Sequence, residues 1–189
     1  MDPLAATAVI LGLMAAIVIG FRLFIRRPAG LTGEDPPGLR TVAVFSGNDP
    51  ELFADDAPEE PYVGLRLFGS LCDALAANGL GIENRGTIQY AQRAECVVGD
   101  ERFALVLEWI DHRWVAGVEW VPSRAAERRH LALTAQVFSL PDSPQLRRLL
   151  VALDRSLRGD GRLSAVRWYR KQDWLAEDTT KPADAPLES

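Results

Sequence analysis

The chain has 189 residues, 26 acidic against 21 basic, a formal net charge of −5 and only two cysteines. This length leaves room for one domain of ordinary size beside its terminal segments. No repeat at solenoid periods occurs, Cys72 and Cys96 read as reduced thiols, and nucleic acid is not the expected partner of so acidic a chain.

From Leu4 to Phe21 the sequence carries no charge, and Thr7 is its sole polar side chain. As a helix this stretch rises about 27 Å, and Leu23 to Ile25 extend it by roughly a turn, enough to cross a hydrocarbon core of about 30 Å. Met1, Asp2 and Pro3 offer no basic n-region, so an anchor is expected rather than a cleaved signal. The bilayer contact is Leu4 to Ile25. Arg22, Arg26 and Arg27 follow the apolar run as interface residues, and their charge predicts a cytoplasmic C-terminal part with the N-terminus outside the inner or plasma membrane.

Residues 1–27 are therefore read as anchor and basic flank, and 28–40, with three prolines and three glycines, as a linker. A soluble domain follows over 41–174, and a Pro- and Asp-rich acidic tail, expected to be disordered, over 175–189.

Within the domain, Thr41 to Phe45 predicts a strand ending at the turn cluster Ser46 to Pro50. An acidic loop then holds Asp49, Glu51, Asp55, Asp56, Glu59 and Glu60. Val63 to Ala77 predicts a helix with a stripe of Leu67, Leu71 and Leu75 beside Phe68 and Cys72, stopped by Gly79. Gly81 to Gly86 reads as a loop.

Ile88 to Val98, Arg102 to Ile110 and Arg113 to Val121 alternate as strands, joined at Gly99-Asp100 and Asp111-His112. Leu131 to Phe138 reads as a fourth meander strand. Ser143 and Pro144 open a helix striped by Leu146, Leu149, Leu150, Leu153 and Leu157 and closed by Gly159. Leu163 to Arg170 predicts the last strand. The expected fold is α+β: a mostly antiparallel β-meander sheet covered by two amphipathic helices, with five tryptophans feeding the core.

Chemistry-bearing motifs are sparse. His112, His130, Cys72 and Cys96 show no zinc-ligand spacing, and the acidic loop lacks the ligand pattern of an EF-hand. Phe68-Gly69-Ser70-Leu71-Cys72 is not a nucleophile elbow, and no phosphate-binding glycine loop occurs. No cofactor is expected.

From Pro122 to Lys171 there are eleven bases and four acids. Arg124, Arg128, Arg129, Arg147, Arg148 and Arg155 are candidate contacts to an anionic surface.

The leading expectation is a single-pass membrane protein presenting a small, non-enzymatic interaction domain to the cytoplasm, with a protein as partner. Two alternatives are a tethered enzyme with a site near His112 or His130, and a basic-face binder of anionic lipid or nucleic acid.

Overall fold

A computed structural model describes residues 34–47, 49–53, 64–88, 91–122 and 140–188. The expected anchor, with Arg22, Arg26 and Arg27, lies outside the described residues. So do the expected strand at Leu131 to Phe138 and Arg124, Arg128, Arg129 and His130. Among the described residues no helix is long and apolar enough to cross a membrane. The chain divides into two units between Gly30 and Leu31, inside the expected linker, and the second unit is the one described below.

Ten elements follow in order: β1 (Val42–Ser46), α1 (Pro50–Phe53), α2 (Leu65–Ala77), β2 (Gly81–Ile88), β3 (Ala91–Val98), β4 (Glu101–Ile110), β5 (Arg113–Trp120), α3 (Pro144–Gly159), β6 (Ser164–Tyr169) and α4 (Lys171–Leu175). The strands form one six-stranded sheet in the order β2-β3-β4-β5-β1-β6, with antiparallel neighbours throughout. The expected α+β class with a mainly antiparallel sheet is what the chain adopts.

Alternation along the strands sorts the two sheet faces. Trp168, Ala43, Ala116, Leu107 and Gln92 lie in one cross-strand row, and this face meets the helices. The stripe Leu67, Phe68, Leu71, Cys72 and Leu75 of α2 and the leucines of α3 are buried in the same apolar cluster. Each such leucine contributes about 1.5–3 kcal/mol relative to an exposed one. The opposite face carries a smaller cluster of Val42, Val44, Val115 and Tyr169, with Ile110 and Trp174 against it.

Local chemistry explains the boundaries. Asp111 and His112 both have positive φ, 47° and 62°, as a type I′ turn requires, and Gly99 at 62° suits the first position of a II′ turn. In α3, Ser143 accepts the Leu146 N–H at 3.1 Å and Pro144 occupies the first turn. The C-terminus of α2 is a Schellman motif: Gly79 N–H donates to Ala76 O and Leu80 N–H to Leu75 O. Gly159 lies inside α3, and Asp160 is its C-cap.

Among the described residues the meander runs through β2, β3, β4 and β5. Gly81 to Gly86 is part of an edge strand rather than a loop. Pairing with β3 overrides its poor propensity, and a register shift between Glu83 and Gly86, with Asn84 at φ 50°, absorbs the irregular residues as a bulge. Beyond β5 the adjoining strand is β1.

The domain also extends past both expected ends. Asp35, 6% exposed, accepts the Thr41 N–H at 2.9 Å, the Thr41 hydroxyl at 2.6 Å and the Lys171 N–H at 2.9 Å. Described residues of the expected tail lie against the domain. Ala183 bridges Trp168, Leu187 bridges Leu39 and packs on the core, and Glu188 pairs with both Arg40 and Arg170. Backbone pairing and one apolar anchor hold an otherwise polar segment. Of the five tryptophans, Trp114 and Trp168 are fully buried, while Trp109 and Trp120 are partly buried against the main cluster and Trp174 against the smaller one.

Candidate functional site

Helices α2 and α3 turn their leucine stripes to the sheet and leave small residues along the seam between them. Ser70, Ala74 and Ala77 recur at helical spacing on α2, and Ser156 and Gly159 do so on α3. Residues this short cannot fill the seam, and an open cleft of about 480 Å³ runs between the helices. Its lining includes Leu71, Asn78, Arg155 and the Gly159–Arg162 turn. A Cβ placed on Gly159 or Gly161 would meet nothing within 4 Å. The size is that of a small-molecule site.

The arginines of α3 differ sharply in their surroundings. Arg147 forms a two-pronged pair with Asp142 at 2.9 and 3.1 Å, and this contact holds the Asp142 carboxyl below its usual range. Arg158 pairs with Asp154 at 2.9 Å, and Asp154 also accepts the Trp168 indole N–H at 2.7 Å. Arg148 donates to the Asn78 and Gly79 carbonyls at 3.4 and 3.3 Å, answering the negative end of the α2 dipole. Among the described residues Arg155 reaches only the uncharged Asn78 Oδ1, at 3.5 Å. At the cleft's far end Arg162 grips Asp160 with two bonds of 2.9 and 2.7 Å, so that carboxylate is already neutralised.

Of the six candidate arginines, Arg147, Arg148 and Arg155 are among the described residues, and their surroundings differ. Arg148 and Arg155 tie α3 to the end of α2, Arg147 is matched locally, and only Arg155 lines the cleft. His112 sits exposed in the β4–β5 turn, edge-on to Trp109 with ring centroids 6.4 Å apart. Cys72 and Cys96 are buried, and burial pushes their thiols up to about 11 and about 12 respectively, which leaves little reactive thiolate. Among the described residues no group of three or more His, Cys, Asp or Glu could hold a metal ion.

A second charged cluster lies on the opposite sheet face. Glu119 is held above the ordinary carboxyl range chiefly by burial, against the pull of Lys171 and Arg93, and its Oε1 is buried with no hydrogen-bond partner among the described residues. Glu108 is raised by burial and by Glu119. Lys171, 1% exposed, is pushed down by burial while Glu119 and Asp35 draw it up.

Glu108 and Glu119 were legible only as acids on the alternate side of β4 and β5, where their partners in sequence (Ala104, Val106, Val115 and Gly117) are small or apolar. The cleft had a fainter signal, the small residues flanking each leucine stripe.

No protein-family model, curated protein or solved structure matches this chain.

Proposed function

We propose that the chain is a single-pass membrane protein whose α+β domain, held at the cytoplasmic face, works by binding rather than by catalysis, with the α2–α3 cleft as its binding surface. The observation that carries this reading is the cleft itself: an open recess of about 480 Å³ between two helices whose opposite faces are fully committed to the core. Small side chains line it from both helices, and it holds one arginine without a carboxylate among the described residues. Rigid helical walls backed by packed leucines suit recognition, because the recess need not form when a ligand arrives.

The membrane part of the proposal rests on the uncharged run Leu4 to Phe21 and the arginines after it.

A photo-crosslinking residue placed at Ser70 in the full chain, expressed in native membranes, tests the reading. A discrete adduct from Ser70, absent when the same group is placed at Glu177, is expected. Indiscriminate labelling from both positions, or none from either, would overturn the cleft as the binding surface.

A further inference from the structure

We infer that the α2–α3 cleft recognises an oxyanion, the carboxylate or phosphate of a small molecule, through Arg155. The inference deepens the binding reading above and rests on it.

Charge and fit along one helix single out Arg155. Of the four arginines in α3, two are matched to carboxylates, Arg147 to Asp142 and Arg158 to Asp154. Arg148 spends its hydrogen bonds on two carbonyls at the negative end of α2. Arg155 has neither kind of partner among the described residues. Its contact among the described residues is a bond to a neutral amide oxygen at 3.5 Å, the outer edge of hydrogen-bond reach. A guanidinium carries five donors in a planar fork that suits carboxylate and phosphate, and most of that capacity at Arg155 is unspent.

The surroundings favour an anion over a cation. The one carboxylate lining the cleft, Asp160, takes two side-chain bonds and the backbone N–H of Arg162, so it neither repels an incoming anion strongly nor serves a cation. The negative end of α2 would oppose an anion, but Arg148 already covers it. Ser70 contributes an exposed hydroxyl on the facing wall. A bound oxyanion would thus meet a fork on one side and a hydroxyl on the other, above a floor of Leu71 and Ala74 that accepts the apolar part of the molecule.

The test is calorimetric titration of the full chain in uncharged detergent micelles at fixed ionic strength, with inorganic phosphate as one probe and succinate as the other. Saturable binding of at least one probe is expected, and the preferred probe tells phosphate from carboxylate. Arg155→Gln should weaken it about tenfold or more, the scale of a lost charge-assisted bond. Arg155→Lys, which keeps charge but loses the fork, should fall between. Arg147→Gln should bind like the wild type.

Absence of saturable binding, or equal loss in Arg147→Gln and Arg155→Gln, would overturn the inference. If the titration fails while the Ser70 crosslink still forms, the oxyanion falls and the binding cleft stands. If both fail, both fall.

Discussion

Asp35 accepts the backbone N–H of Lys171 at 2.9 Å, a bond that spans 136 residues and ties the segment before β1 to the start of α4. The same carboxylate takes the Thr41 N–H and hydroxyl. The entry to the domain and its last helix are thus one structural unit.

Asp35→Ala leaves two backbone N–H groups and a hydroxyl buried without their acceptor. The expected loss is about 3 kcal/mol, since each unsatisfied buried group costs about 1–3 kcal/mol. Asp35→Asn, which keeps one acceptor oxygen, should lose less. Denaturant midpoints of the full chain in micelles check the order, and equal midpoints for wild type and Asp35→Ala would contradict it.

Gly64 precedes α2 at φ +89°, and a Cβ there would lie 2.6 Å from the Trp114 ring. Trp114 cannot yield easily, because its indole donates to Gly47 O at 3.2 Å and its ring packs 4.7 Å from Trp109. Gly64→Ala should therefore lower stability by about 2–4 kcal/mol, from backbone strain and overpacking together. Near-ultraviolet circular dichroism would report the displaced indole.

The C-terminal segment gives a third test. Ending the chain after Lys181 removes both isolated bridges, the Leu187 contact and the Glu188 pairs. The exposed ion pairs contribute little, so the loss, about 2 kcal/mol, should come from Leu187 and the backbone bonds. Faster amide exchange at Trp168 and Arg40 would locate it. Unchanged exchange at both would contradict the packed tail.

Glu119 sets a pH dependence. Its folded pKa lies above the ordinary 4.5, so its contribution is intact below that value and is lost as pH rises through the folded pKa. Lys171 and Arg93 limit the loss, and Glu108 nearby shifts in the same direction. Glu119→Gln should match wild type in acid and grow relatively more stable as pH rises toward neutrality. Thermal midpoints from about pH 4 to about pH 8 check the divergence, and parallel curves would contradict it.

Much of the fold was legible because local signals agreed. Leu67, Leu71 and Leu75 on α2, Ser143 and Pro144 at the start of α3, and Asp111-His112 between β4 and β5 each point to the structure they form. The failures share a cause. Gly81 to Ile88 becomes a strand only because β3 offers hydrogen bonds, and residues 183–188 are ordered only because Trp168, Gly38 and Arg40 pair with them. Gly38 and Arg40 lie far from that segment in sequence, and although β3 follows β2 directly, the bulged residues Glu83 to Gly86 break the alternation that would mark the hairpin.

The cleft was hidden for a related reason. Ser70, Ala74 and Ser156 are ordinary residues beside a leucine stripe until two helices meet. The surroundings of the arginines were hidden likewise, since the sequence cannot show that Arg147 meets Asp142 and Arg148 two carbonyls.

The most direct measurement of the central claim repeats the Ser70 photo-crosslink in native membranes after filling the cleft with Ser156→Trp. Ser156 lines the recess from the opposite wall, so an indole there should occupy the space without entering the core. The account predicts that the Ser70 adduct disappears while the thermal midpoint stays close to wild type. An adduct of undiminished yield from the filled variant would contradict it.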